Sequence, residues 1–424
     1  MDPRDRAIRD RAMALIRAGI AAADPQAAVL RAMPAVLADP PGPGGRWQIL
    51  ALGKAARAMA AAALRALPPS MLAGDGALVV TNAGNDAPLP GARVLRAGHP
   101  EPDAAGLAAA GEVEARLLAC GPADRVLALI SGGGSAMLPA PVAGLSLADK
   151  QAVNRLLLAS GADIAQVNLL RQALSRLKGG GWLRRTRAPV TALILSDVPG
   201  DDLRVVASGP TAPPLGGRAD AVRLARSLGI WKRMPEAARA ALLRSDDPPP
   251  PRAARNILVG SNALSLAAMV AQGARAAPIP LAGEVADCAA AIRALADGLA
   301  PGEALALGGE TTVALDTLPP GATPGQGGRN QELALRLALL VGDRPLPGDW
   351  AFAAVGSDGR DGPGEAAGAL VGPDTLARIR RAGIDPAEAA ARHDATPALA
   401  AAGALVVTGP TGTNVADLAV FVRG

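Results

Sequence analysis

The sequence predicts an α/β protein of two domains, each built of strands flanked by helices. Three observations predict it. The chain is 424 residues long, room for two or three domains at about 100 to 200 residues each. Short apolar runs alternate with Ala/Leu/Arg stretches at helical spacing, the pattern of a mostly parallel sheet with helices on both faces. Four successive prolines at 248–251, following Ser245-Asp246-Asp247, form the stiff kind of segment that joins domains. The expected domains are therefore residues 1–247 and 252–424.

In chain order, two helices are expected over 4–22 and 25–37, closed off by Pro40, Pro41 and Pro43. Strands follow at 48–52, 77–81, 125–130 and 190–195, with helices at 55–67, 103–119 and 163–177. The second half continues with strands at 257–259, 303–307, 352–355 and 404–407, and helices at 263–272, 285–296 and 331–340. Ligands of open parallel sheets sit beyond the carboxyl ends of the strands, so the loops after strands are where chemistry is expected.

Composition narrows that chemistry. The chain has two His, two Cys, no Tyr, four Trp and two Phe. Cys120 and Cys288 stand in no paired motif, which removes a disulfide framework and a Cys-rich zinc site and leaves both as structural residues. His99 and His393 cannot by themselves build a multi-histidine centre; His393 reads as an exposed linker residue, and His99 as either a substrate contact or a turn-stabilising residue. Without aromatic platforms, base stacking on single-stranded nucleic acid has no support. The net charge of +5 and pI of about 9.9 come from Arg dispersed among acids, which suits a small anionic substrate better than a DNA groove. The N-terminus lacks the apolar core of a signal peptide, and the uncharged stretch 126–148 is broken by Gly132 to Gly134, Pro139 and Pro141, so neither export nor a membrane span is expected. Cytoplasmic location is the expectation.

Five or more strand-end loops share Gly, Ser, Thr and Asp. After 125–130 comes Ser131-Gly132-Gly133-Gly134-Ser135, whose backbone N–H groups can converge on an anion. After 190–195 come Asp197, Asp201 and Asp202; Asp197 is the favoured candidate for holding Mg²⁺ or taking a proton from an alcohol, the other two being helix-capping candidates. Gly325-Gln326-Gly327-Gly328-Arg329-Asn330 opens a helix, placing a guanidinium beside free backbone donors, while Glu332 can cap or salt-bridge locally. Asp358 follows the strand ending at 355 and is the next metal candidate. Lys54, in Leu52-Gly53-Lys54-Ala55, begins a helix where a cation is unfavourable, which argues for function. A Walker A loop would need Gly at 48 and Ser or Thr at 55, where Gln48 and Ala55 stand. No full Gly-x-Gly-x-x-Gly fingerprint is present.

Taken together, "LGKAA", "GHPEPDAAG", "SGGGSAML", "LASGADIAQVN", "LSRLKGGG", "SDVPGDDLRVVASGPT", "GGETTV", "GGRNQELAL", "GSDGRDGPGEAAGA" and "TGPTGTNVADL" resemble the glycerate 2-kinase family, whose members are sometimes described as hydroxypyruvate reductases. The resemblance runs from about residue 50 to the C-terminus. It implies a larger N-terminal Rossmann-like domain with a parallel sheet, a smaller C-terminal α/β domain, and an active site in the cleft between them. It implies transfer of the γ-phosphoryl group of ATP to the 2-hydroxyl of D-glycerate with a divalent metal, Mg²⁺, and it places catalytic roles on Lys54 and Arg329. Asp197 is the third catalytic candidate. The candidate ATP contacts are Ser131, Gly132, Gly133, Gly134, Ser135, Lys178, Gly327, Gly328 and Asn330, and the candidate metal ligands are Asp197 and Asp358. One departure stands out: Gln172-Ala173 replaces the Lys-His pair usual before "KGG".

The inventory of backbone amides, Asp, Lys and Arg suits phosphoryl transfer, which needs positioning and charge neutralisation rather than His, Cys or Tyr. Expected partners are the small molecules D-glycerate and ATP, with neither nucleic acid nor membrane, and homo-oligomerisation is left open. The competing readings are an NAD(P)H-dependent hydroxypyruvate reductase, disfavoured by the missing fingerprint, and a non-catalytic sensor of nucleotide or sugar acid.

Overall fold

In the computed structural model, which describes residues 3–245, 248–315 and 323–424, six strands form one sheet and six another. The first sheet contains β1 (Trp47–Leu52), β2 (Ala77–Thr81), β3 (Ala92–Arg96), β4 (Arg125–Ile130), β5 (Val190–Leu195) and β6 (Arg255–Gly260). Their order is β3-β2-β1-β4-β5-β6, and the pairs β2–β3, β1–β2, β1–β4 and β4–β5 are parallel. β1, β2 and β5 are buried at every position, as continuous apolar strands covered on both faces must be. The order reverses between β1 and β4, and a crevice opens outside the carboxyl ends of the two strands at such a point.

The second sheet departs from the expected parallel pattern. It contains β7 (Arg275–Ala276), β8 (Ala304–Gly309), β9 (Trp350–Gly356), β10 (Gly368–Val371), β11 (Leu405–Val406) and β12 (Asp417–Arg423), in the order β11-β10-β9-β12-β8-β7. Only β7–β8 is parallel; β12 runs antiparallel to both neighbours, and β10 to both of its own. Helices nevertheless flank it, and Trp350 stacks on Phe421 at 5.7 Å within one of its cores.

The chain divides into two compact units, Pro25–Val259 and Met1–Asp24 with Gly260–Gly424. This division differs from the expected domains 1–247 and 252–424 at two places. The first helix, Pro3–Ala22, buries the stripe Ala12, Leu15, Ile16 and Gly19, at helical spacing, in the core that contains Leu418 and Met269. A Cβ on Gly19 would lie 2.9 Å from Leu418 Cδ1, so glycine lets helix and sheet meet. At the other boundary, the polyproline is not the joint. Pro251 packs on Gly180, Arg184 donates to the Pro249 carbonyl at 2.9 Å, and β6 then extends the first sheet. Asp246 and Asp247, which precede the expected boundary, lie outside the described residues. Among the described residues, no single helix is long and apolar enough to cross a membrane.

Candidate active site

In the Pro25–Val259 unit, the β1 and β4 loops clasp each other. The N–H groups of Gly53, Lys54 and Ala55 donate to Val80 O (3.1 Å), Gly132 O (2.9 Å) and Ser131 Oγ (3.0 Å). Ser131 is therefore a brace and does not offer its hydroxyl to a nucleotide. Beyond it, Gly133 takes a left-handed conformation at φ 84°, which favours glycine. The N–H groups of Gly132, Gly133 and Gly134 have no hydrogen-bond partner among the described residues, the open array of donors that binds anions.

The clasp sets a functional cluster around one cavity of about 390 Å³. Its walls include His99, Gly133, Ser135, Asn168, Arg171 and Asp197. A Cβ on Gly132 would fall 1.9 Å from Asp197 Oδ2, and one on Gly133 would fall 3.1 Å from Lys54 Cγ and 3.2 Å from His99 Cδ2, so these glycines admit the three side chains to one place. Burial raises the Asp197 pKa, opposed by its own backbone hydrogen bond and by the Lys54 charge. Burial and, second, the Lys54 ammonium hold His99 below the usual imidazole range, so it stays neutral near pH 7. Ser135 Oγ lies 2.8 Å from Ser208 Oγ, and Ser208 donates to Asn168 Oδ1 at 2.6 Å. Ala207 and Ser208 hold φ of 48° and 62°, and side chains with positive φ concentrate at functional sites.

The substituted pair beside this site has a structural explanation. Gln172 donates to the carbonyls of Arg204 (2.8 Å) and Ser208 (3.2 Å) and accepts from Leu215 N (2.8 Å). It thereby braces the loop that carries Ser208.

In the other unit, Arg329 is bound by acids. Its Nε and Nη2 reach the two oxygens of Asp417 at 2.5 and 2.9 Å, and its Nη1 reaches Glu310 at 2.8 Å. Asp417 is 1% exposed and Arg329 36%, so one face of the guanidinium remains open. Against the cost of burial, the hydrogen bond and charge of Asp417, then Glu310 and Asp361, raise the Arg329 pKa and keep it charged. Asp417 heads β12 between Gly309 on β8 and Gly356 on β9, and the absence of neighbouring side chains leaves room for the guanidinium.

The backbone donors expected to be free here are taken. Asn330 N and Gln331 N donate to the Asp361 carboxylate at 3.1 and 2.8 Å, and the Asn330 amide donates to it at 3.2 Å. A Cβ on Gly328 would lie 2.3 Å from Asp361 Cγ. Gly328 and Asn330 thus serve a buried cap, and Gly327 packs beside the His393 carbonyl. Asp358 is half-buried, its Oδ1 accepting Arg360 N at 3.0 Å. His393 is not an exposed linker residue: it is 5% exposed, with Nδ1 2.9 Å from Glu332. Glu332 also receives Arg336, the local salt bridge anticipated for it. Cys120 and Cys288 are buried and free, and burial pushes the Cys120 thiol up to about 11.

Sequence reasoning did not single out Asp417, Asn168, Ser208, Lys150 or Arg171. A lone acid heading a buried apolar run was the available signal for Asp417; the others are brought in by helix packing. Among the described residues, no three or more His, Cys, Asp and Glu gather as a metal cage.

Residues 11–243 match the model described as "Domain of unknown function (DUF4147)", and residues 303–417 match the MOFRL family. The chain is 41% identical to an Agrobacterium vitis protein named "Putative hydroxypyruvate reductase", over 96% of this chain and 92% of the relative. It is 34% identical to the glycerate 2-kinase of Pyrococcus horikoshii, over 98% and 97%. The crystal structure of glycerate kinase from Thermotoga maritima superposes with a TM-score of 0.86 at 32% identity, covering 99% of this chain and all of that one. With both domain models in order and relatives matched along almost their whole length, this chain belongs to the glycerate 2-kinase family.

Proposed function

We propose that this protein phosphorylates D-glycerate at its 2-hydroxyl, using ATP and releasing ADP. The observation that carries the reading is the cavity lined by His99, Gly133 and Asp197, with Lys54 packed against Gly133 and the amides of Gly132 to Gly134 unpaired among the described residues. Phosphoryl transfer requires a cation and fixed donors for the phosphoryl oxygens and a group to receive the acceptor's proton. Lys54 and the glycine amides neutralise the transferring group. The acceptor oxygen bonds to the γ-phosphorus, the bond to the β–γ bridging oxygen breaks, and the hydroxyl proton passes to Asp197. Arg329, fixed by Asp417 and Glu310, presents its open face to a phosphate or carboxylate oxygen.

Mg²⁺ would enter with ATP. Mg²⁺ is usually held by one or two protein carboxylates plus phosphate oxygens, a demand that needs no protein cage. Asp358, with no guanidinium partner among the described residues, fits that role better than Asp197, beside which the Lys54 ammonium already stands. Bound there, the ion would offset charge on the nucleotide phosphates.

The strand order of the first sheet would also suit a dinucleotide, but the reductase reading fails at the β1 loop. The three amides that a pyrophosphate would need are spent on Val80, Gly132 and Ser131. The test is ADP release from ATP and D-glycerate, run beside NADH oxidation with hydroxypyruvate. ADP with no NADH oxidation is expected; the opposite pair of results overturns the reading.

A further inference from the structure

A second, much smaller cavity adjoins the first. It encloses about 30 Å³ and shares Pro100, Ser135, Ala136 and Arg171 with its larger neighbour. Among the described residues, three cations line it, Lys150, Arg171 and Lys178, and no acidic side chain does. Lys150 and Lys178 are only 9% and 4% exposed. Lys150 Nζ donates to Leu174 O at 3.3 Å and Lys178 Nζ to Ser135 O at 2.7 Å. Each protonated ammonium has three donors, so two on each remain unspent among the described residues. Arg171 gives Nε and Nη2 to Asn154 Oδ1, and Nη1 is left over. Glu114 is committed to Arg176 and Arg185.

Buried charges are ordinarily paired, because an unpaired one loses its hydration without compensation. Three together, around a small void and without a counter-ion among the described residues, are all charged only when an anion sits between them. We infer that Lys150, Arg171 and Lys178 form the seat for the carboxylate of the hydroxy-acid acceptor, leaving its hydroxyl groups in the larger cavity before Asp197; this rests on the kinase reading above. The void admits a carboxylate head and little else, and it shares Pro100, Ser135, Ala136 and Arg171 with the larger cavity that Asp197 lines. Lys178 is thereby assigned to the acceptor rather than to ATP. The electrostatics of the empty pocket agree. Burial, then Arg171 and Arg176, pull Lys150 down to about 7, and burial, then Lys150 and Arg171, pull Lys178 well below its ordinary value.

The test uses the whole protein with Lys150→Met and Lys178→Met, each replacing an ammonium by an apolar chain of similar length. KM for D-glycerate is expected to rise at least about tenfold in each, about 1.4 kcal/mol per tenfold, with KM for ATP within about twofold of wild type. Tm is expected to stay level or rise, since an unpaired buried charge is removed; a purely structural lysine would lower Tm and leave KM unchanged. An unchanged KM for D-glycerate in both soluble variants overturns the inference, as does a rise confined to KM for ATP, which would make the pocket a phosphate site. Should the variants fail to fold, D-glyceramide, with the same hydroxyls and no charge, is offered to the wild-type protein. A loss of about 100-fold or more in kcat/KM supports the carboxylate seat, and turnover equal to that of D-glycerate refutes it. If wild type releases no ADP, the kinase reading has failed separately. Calorimetric titration with D-glycerate alone then decides the pocket: binding lost in Lys150→Met supports it, and binding unchanged or absent in wild type refutes it.

Discussion

Two glycine-rich loops that look alike in sequence do opposite things in the structure. In Ser131-Gly132-Gly133-Gly134-Ser135, the amides of the three glycines have no acceptor among the described residues. In Gly327-Gly328-Arg329-Asn330, the amides of Asn330 and Gln331 are held by the buried carboxylate of Asp361. The first loop is an open array of donors. The second is a closed cap whose product is a well-placed guanidinium. Gly content therefore locates where backbone is crowded, and only the acceptors around it decide whether the donors are available to a ligand.

Substitutions can break that contrast. The largest effect is expected from Lys54→Ala, which should lower kcat by about 10³-fold, the scale on which a charge-stabilising donor acts, with Tm unchanged; steady-state ADP release and a thermal melt check both halves. Arg329→Ala should cost activity on a similar scale and also about 2 kcal/mol of stability, because charged hydrogen bonds to the buried Asp417 are lost. Urea unfolding would reveal the difference between the two sites.

Gly133→Ala and Gly328→Ala form a matched pair. At Gly133, φ of 84° penalises a side chain by about 1–2 kcal/mol, and the added methyl would approach Lys54 and His99, so kcat/KM should fall more than Tm. At Gly328, the methyl would collide with Asp361, costing about 1–3 kcal/mol as overpacking, so Tm should fall with kinetics following only through lost order. Asp361→Ala, which uncaps the helix Arg329–Asp343, should cost about 1–2 kcal/mol.

The mildest test is pH. Lys150, faced by Arg171, Lys178 and Arg176, loses its proton in the free protein above about 7. The protonated form is the one that receives a carboxylate, so kcat/KM for D-glycerate should decline as pH rises through that value, and Lys150→Met should abolish this limb. Asp197 must be ionised to take a proton, and its raised pKa should put the acid limb above the ordinary carboxylate range.

The sequence carried the parallel sheet well. Strands 77–81, 125–130 and 190–195 are found with the expected bounds, because apolar runs bounded by turn residues have one interpretation. It did not reveal β12. The run Asp417-Leu418-Ala419-Val420-Phe421-Val422-Arg423 covers positions 417–423, and its place at the centre of the second sheet depends on antiparallel pairing with residues 61 to 118 positions earlier. Of the candidate site, Lys54, Asp197 and Gly132 to Gly134 were legible as strand-end residues. The internal partners of Ser131 and Asn330 were not legible, since Ala55 N and the Asp361 carboxylate lie 76 and 31 residues away. The first helix was legible as a helix but not as part of the second unit, since an apolar stripe says that a face is buried and not against what.

The most direct test of the central claim is the position of the phosphate on the product. ATP and D-glycerate are incubated with the protein, the nucleotide is removed, and enolase is added without a mutase. Immediate formation of phosphoenolpyruvate is the expected result, because only the 2-phosphate is an enolase substrate. Glycerate phosphorylated solely at the 3-hydroxyl, giving no phosphoenolpyruvate until a mutase is supplied, would contradict the account.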